Sequence, residues 1–171
     1  FAAASLCLAG LVAIASAEVW QAGASGNLLA PVAALAAWSL IMMVWMLVLR
    51  LRVTTQLGMT LDSVPRGARG DRLDGWAPDS VQWKAHNYNH LMEQPTLFYA
   101  VAISLVLLGD YDQATANFGW AYVGLRVAHS LVQATVNIVK FRLALFVLGT
   151  GVQFLLTIRM AALVARASAG G

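Results

Sequence analysis

An uninterrupted apolar stretch constrains this chain more than any other feature of its sequence. Residues 28–49 contain no charged side chain over 22 positions, and Arg50 and Arg52 follow directly. At about 1.5 Å of rise per residue, a helix of that length crosses a hydrocarbon core of about 30 Å. The stretch therefore predicts a transmembrane helix.

The composition of the whole chain agrees with a membrane environment. Of its 171 residues, 60% are hydrophobic and 11% are charged, whereas an average soluble chain has about 25% charged residues. The net charge of +3 comes without a basic patch interleaved with aromatic residues, so nucleic-acid binding is not expected. The single cysteine, Cys7, excludes an internal disulfide and a cysteine-ligated metal centre.

Three more segments predict helices that cross the bilayer. They are residues 81–108, whose first half is polar on one side, residues 118–139 and residues 143–164. Residues 1–17 are also apolar, and Ala15-Ser16-Ala17 has the small-residue pattern of a signal-peptidase site. We expect this first segment to be retained as an additional helix.

These segments define the predicted fold. We expect an all-α integral membrane protein, a four-helix bundle with an additional N-terminal transmembrane helix. The predicted units are residues 1–25 for the extra helix and turn, residues 26–166 for the bundle, and residues 167–171 for a flexible tail.

Basic residues in the one long polar connection indicate the orientation of the bundle. Residues 50–84 contain six Lys and Arg side chains, and basic loops stay on the cytoplasmic side of a membrane. This loop is therefore predicted to be cytoplasmic, with Asp110 and Asp112 on the opposite side. Arg159 and Arg166 count against this orientation, but six basic residues in a loop outweigh two.

Polar side chains occur at helical spacing inside two of the predicted spans. One set shares a face of the helix over residues 118–139 and its continuation: Arg126, His129, Ser130, Gln133, Asn137 and Lys140. A second set follows the preceding helix in steps of three and four: Gln82, His86, Asn89, His90 and Glu93. Ionisable groups at membrane depth face a protein interior or a water-filled cavity. We therefore expect the two sets to approach each other near the cytoplasmic side.

The residues alone leave three interpretations of these sets open. They can be structural, because buried amides and histidines often join membrane helices by hydrogen bonds. They can form a pocket for an anionic small molecule, because basic side chains outnumber the one acidic side chain; the residues concerned are Arg50, Arg126, Lys140, Arg142 and Glu93. They can also hold a b-type haem between two axial imidazoles. The candidate haem ligands are His86, His90 and His129.

Two ordered motifs connect the sequence to a known family. The first, at residues 89–99, reads Asn-His-Leu-Met-Glu-Gln-Pro-Thr-Leu-Phe-Tyr. The second, at residues 120–130, reads Trp-Ala-Tyr-Val-Gly-Leu-Arg-Val-Ala-His-Ser and is followed by Asn137 and Arg142. Together they resemble the MAPEG family, the membrane-associated proteins in eicosanoid and glutathione metabolism, and in particular its uncharacterised bacterial branch. The resemblance covers about residues 28–164.

The resemblance implies a homotrimer in a bacterial cytoplasmic membrane, with glutathione bound between subunits near the cytoplasmic side. It also implies a lipophilic substrate that arrives from the bilayer. The positions that correspond to glutathione contacts are Arg50, His90, Glu93, Arg126 and His129. Arg142 occupies the position of an arginine that stabilises the thiolate.

The chain departs from characterised members of the family at several of these positions. His90 replaces an asparagine, His86 replaces an arginine, and two tyrosines correspond to Gln133 and Phe146. The expected function is thiol binding with glutathione transferase or peroxidase activity on lipophilic substrates. The alternative is a non-catalytic subunit of a larger membrane complex, because a fold can be kept after its chemistry is lost.

Overall fold

Five helices account for the regular structure of the residues that the computed structural model describes, which are 27–58 and 77–169. The helices are α1 (Leu29–Gln56), α2 (Asp79–Glu93), α3 (Pro95–Leu107), α4 (Gln113–Thr135) and α5 (Val139–Ala169). The prediction of an all-helical fold is confirmed for this part of the chain. The expected N-terminal helix and the middle of the basic loop lie outside the described residues.

Among the described residues, three helical segments are long and apolar enough to cross a membrane. They are Leu29–Gln56, Asp79–Leu107 and Val139–Ala169. The 23-residue helix α4 is long enough to cross, but its buried face carries polar side chains that lower its mean hydropathy. It packs most extensively against α5 and also contacts α1 and α2. The most polar helix face is therefore enclosed by three other helices.

The first helix continues beyond the predicted end of its span. Asn27 Oδ1 accepts a hydrogen bond from the first amide of α1 at 2.9 Å, which fixes where the helix begins. Arg50 and Arg52, predicted to open the polar loop, lie within α1, which ends at Gln56. The prediction of this boundary was wrong because arginine is a good helix former and does not stop a helix by itself. Gly58, with a φ of +65°, follows the end of the helix.

Pro95 divides the second span without ending it. Gln94 keeps a helical φ of −65° and ψ of −38°, so α2 and α3 form the single apolar segment Asp79–Leu107. Proline is tolerated at the first position of a helix, where its missing amide proton is not needed. The Gln94 side chain donates a hydrogen bond to Thr150 Oγ1 of α5 at 2.7 Å. The junction is therefore attached to α5.

An apolar core fills the half of the bundle that contains α3. The rings of Phe98 and Tyr122 stack there with their centroids 4.5 Å apart and their planes at 17°. At Gly119, α4 approaches α1 so closely that a Cβ would lie 2.6 Å from Leu28 Cδ2 and 3.0 Å from Pro31 Cγ. Small residues allow such approaches between membrane helices. Glycine is therefore the residue that this crossing accommodates.

The last helix extends further than the sequence indicates. It continues through Ala169, whereas the sequence predicted a flexible tail from residue 167. Alanine and serine at these positions continue the helix without a glycine or proline to end it.

An ion-pair cluster joins the α3–α4 connection to α5. Asp110 accepts hydrogen bonds from Arg159 Nε at 2.9 Å and from Arg159 Nη2 at 3.2 Å. Thr115 donates its hydroxyl to the same carboxylate at 3.2 Å, and Asp112 Oδ2 lies 3.6 Å from Arg159 Nη2. Arg159, which counted against the predicted orientation, is thus neutralised by the acidic connection. The Arg159 hydrogen bond holds the pKa of Asp110 below its usual value of 3.8.

Replacing Asp110 with asparagine should lower the thermal midpoint at neutral pH by about 4 °C. A carboxyl with a lowered folded-state pKa contributes its full stability above its usual value of 3.8, and this contribution is lost as the pH falls through the folded-state value. The difference between parent and Asp110→Asn should therefore shrink in acid. Thermal unfolding in detergent between neutral and acidic pH measures it.

Asp112→Asn is the matched control for that experiment. Asp112 caps α4 by accepting a hydrogen bond from the Ala114 amide at 3.0 Å, and asparagine caps helices equally well. Its carboxylate is 49% exposed, so its attraction to Arg159 is weak. Equal losses in the two variants would contradict a specific role for Asp110.

Candidate functional site

Helix α4 directs a row of polar side chains into the bundle. The buried members are Arg126, His129, Ser130 and Gln133. Their spacing by threes and fours predicted that they share one face, and the burial of that face confirms the prediction. Asn137, beyond the end of α4, is half-buried, and Lys140 is exposed.

The polar set on α2 was predicted to approach the polar set on α4, but most of its side chains do not point into the bundle. Its exposed members are His86, Asn89 and Glu93. Asn87, which the pattern did not include, is buried instead and donates its side-chain amide to Ser130 Oγ at 2.8 Å. His90 is the half-buried member of the set that reaches α4.

His90 and His129 form a stack of two imidazole rings between α2 and α4. Their centroids lie 4.7 Å apart, and the ring planes meet at 20°. Rings stacked face to face do not aim their nitrogens at opposite sides of a porphyrin, so this pair does not fit the haem alternative. Residues 27–58 and 77–169 also contain no group of three or more His, Cys, Asp or Glu that could hold a metal ion.

An open cavity of about 260 Å³ lies beside the imidazole stack. Its lining consists of His90, His129, Val139, Arg142, Leu143 and Phe146. Two of the five predicted ligand-binding positions and the predicted thiolate-stabilising arginine thus meet in one place. The rim is apolar, because Val139 and Leu143 are 70% and 60% exposed there.

Asn137 holds Arg142 at the wall of the cavity. Its Oδ1 accepts a hydrogen bond from Arg142 Nη1 at 2.6 Å. Asn137 has a φ of +51°, a left-handed conformation that asparagine adopts more readily than most residues. The same turn that separates α4 from α5 therefore orients the guanidinium. Arg142 Nε is buried and makes no hydrogen bond within the described part of the chain.

Arg126 lies deeper in the bundle, with 1% of its surface exposed. Its Nε donates to the Tyr122 hydroxyl at 3.1 Å, and its guanidinium carbon lies 5.8 Å from the centre of the Phe146 ring. Both Nη groups are buried and have no hydrogen-bond partner among the residues described. An unsatisfied buried guanidinium is costly. Phe146 also lines the cavity, so Arg126 lies close to the cavity without being part of its lining.

The two remaining predicted positions lie apart from the cavity lining. Arg50 is half-buried on α1, and Glu93 is exposed on α2, three residues beyond His90. Sequence reasoning also missed two partners of the site, Tyr122 and Asn87. Tyr122 could have been found, because it precedes Arg126 by one helical turn and side chains at that spacing meet.

The fold and the site define a class of protein: a multi-pass helical membrane protein with a basic, histidine-containing cavity between its helices. The model of the MAPEG family matches residues 28–162, which is most of the chain. The chain belongs to the MAPEG family, as its two motifs indicated, and it is an integral membrane protein. Comparison with curated proteins and with solved structures gave no match.

Proposed function

We propose that this protein binds glutathione or a related thiol peptide in the cavity beside His90, His129 and Arg142. The observation that supports the proposal is the surplus of buried cationic donors: Arg126 and Arg142 both have guanidinium nitrogens without a partner in the described chain. Glutathione carries two carboxylates, and paired guanidinium–carboxylate bonds are among the strongest polar contacts in proteins.

The proposed chemistry is attack of the thiolate sulfur on a lipophilic electrophile, which transfers the whole glutathionyl group. A free thiol has a pKa of about 8.5, and a nearby guanidinium favours the thiolate, which is the nucleophile. Arg142 lines the cavity and is held by Asn137. The exposed apolar rim formed by Val139 and Leu143 suits a substrate that enters from the bilayer.

We further propose that a neighbouring copy completes the site, in the homotrimer that family membership implies. Glu93 lies midway along the span Asp79–Leu107 and is exposed in the single chain. A carboxylate at membrane depth faces protein or water, and a neighbouring copy would supply the protein surface that covers this face of α2. Glu93 of one copy would then reach the amino group of a ligand in its neighbour's cavity.

Calorimetry of the purified protein with millimolar glutathione tests the proposal. Binding should persist with S-methylglutathione, which keeps both carboxylates, and should be unchanged in Lys140→Ala, whose side chain is exposed and not part of the cavity lining. The absence of both binding heat and a thermal shift with glutathione would contradict the proposed function.

Replacing Glu93 with glutamine should weaken glutathione binding by about tenfold, or about 1.4 kcal/mol, while the oligomer stays intact. The change keeps the shape of the side chain and removes the charge that would pair with the ligand's amino group. Asp79→Asn, an exposed acidic position on the same helix, is the matched control. Loss of the oligomer in Glu93→Gln would instead identify Glu93 as a structural contact between subunits.

A second candidate function is a non-catalytic subunit that packs within a larger membrane complex. The exposed polar face of α2 favours it, because His86, Asn89 and Glu93 suit a protein partner as well as a ligand. Native mass spectrometry after gentle solubilisation distinguishes the two. A homotrimer without other subunits would count against the accessory role.

A further inference from the structure

The imidazole stack offers the cavity a group that can take up a proton. His129 is 3% exposed, and its ring lies 4.7 Å from that of His90, centre to centre. Two imidazolium charges at that distance would repel strongly, so the pair titrates as a unit that takes up one proton in preference to two. Both rings line the same cavity as Arg142. The imidazole pair, as a proton acceptor, and the Arg142 charge, which would stabilise a thiolate, therefore line the same cavity.

Burial of the two rings is the largest influence on when the stack takes up a proton, and the charged groups around it come next. They are Arg126 on α4, Arg142 on α5 and Glu93 on α2. The two guanidinium groups oppose a further positive charge, and Glu93 favours one. The balance changes when a negative charge appears in the cavity, because an anion next to the stack stabilises an imidazolium. Formation of a thiolate would supply that anion.

We propose that His90 and His129 together accept the proton of the bound thiol and later return it to the product. This inference rests on the proposed function, because it requires a thiol ligand beside Arg142. The S–H bond breaks, its electron pair stays on sulfur, and the proton moves to an imidazole nitrogen. Cation and anion then form together, and no proton enters the solvent.

The retained proton suits an addition reaction, in which the product takes the proton up, and lipophilic activated alkenes are the substrate class of this proposal. In a conjugate addition, the sulfur electron pair forms a bond to the β-carbon and the π-electron pair moves to the α-carbon. That carbon takes the proton from the imidazolium, so the pair returns to its starting state. Thiol and alkene together supply every atom of the product, and no further reactant is needed.

Proton counting by calorimetry tests the proposal on the whole protein. Glutathione is titrated in two buffers that differ in their heat of ionisation, S-methylglutathione serves as the ligand without a thiol proton, and ultraviolet difference absorbance reports the thiolate. We expect thiolate absorbance with glutathione, and equal proton release for the two ligands. The double variant His90→Asn/His129→Gln should form less thiolate or release about one more proton per site. Lys140→Ala, whose side chain is exposed and not part of the cavity lining, should behave as the parent.

Each of the other outcomes overturns either the proton transfer or the proposed function. About one extra proton released by the parent with glutathione would show that the proton goes to water and that the stack is not its acceptor. Binding of both ligands without thiolate would leave glutathione binding in place and refute the proton transfer. If neither ligand binds, the proposed function is refuted and this inference with it.

Discussion

Arg142→Ala is expected to keep glutathione affinity within about tenfold, or about 1.4 kcal/mol, while it slows transfer by at least about a hundredfold. The guanidinium lines the cavity, but the buried Arg126 lies next to Phe146 of the same lining and would hold a ligand carboxylate, so most ligand contacts survive the loss of Arg142. Its charge is needed next to the sulfur, where removing it raises the pKa of the ligand's thiol. Steady-state kinetics with an activated alkene, together with thiolate absorbance at neutral pH, measures both effects.

Two further variants separate the charge of Arg142 from its orientation. Asn137→Gly keeps a residue that accepts the φ of +51° and removes the oxygen that Arg142 Nη1 donates to. It should slow transfer by less than Arg142→Ala does. Arg142→Lys keeps the charge and should retain part of the rate. An unchanged rate in Arg142→Ala would show that the side chain only anchors the start of α5 at the interface.

Arg126→Met should have effects of opposite sign on binding and on stability. We expect glutathione affinity to fall by at least about a hundredfold, or about 2.7 kcal/mol, because a buried guanidinium that pairs with a carboxylate contributes strongly. The thermal midpoint of the unliganded protein should stay the same or rise. Both Nη groups are buried without partners, and replacing an unsatisfied buried charge by an apolar side chain removes its desolvation cost.

Tyr122→Phe is the control for that variant. It removes the hydroxyl that accepts the Arg126 Nε hydrogen bond at 3.1 Å but keeps the ring that stacks on Phe98. We expect a small loss of stability and little change in affinity. A large fall in the thermal midpoint of Arg126→Met without a change in binding would favour the structural interpretation of the polar face of α4.

The sequence predicted the helices and one face of the site well, because both depend on local periodicity. The spacing of Arg126, His129 and Gln133 placed them on one face of α4, and that face is buried. The same reasoning failed for α2. A polar stripe shows which residues share a face, but not whether the face meets its own bundle or another surface. Asn87, outside the stripe, is the residue that binds Ser130.

Contacts between distant residues could not be read from the sequence. Asp110 and Arg159 are 49 residues apart, and no local pattern joins them. The stacking of His90 on His129 depends on how α2 and α4 are rotated against each other, which side-chain packing decides. The hydrogen bond from Arg142 to Asn137 spans five residues and one turn, and it could have been anticipated from the turn-forming tendency of asparagine.

The separation of Asp110 from Arg159 also has a consequence for how the chain is made. The ribosome synthesises the acidic connection first, and the 49 residues up to Arg159 follow, including all of α4 and most of α5. Until then, the Asp110 carboxylate has the local partners Thr115 and the Asp112 amide. Translation of α5 therefore supplies the Arg159 guanidinium that pairs with Asp110. A nascent chain arrested before residue 159 would lack this contact between the α3–α4 connection and α5.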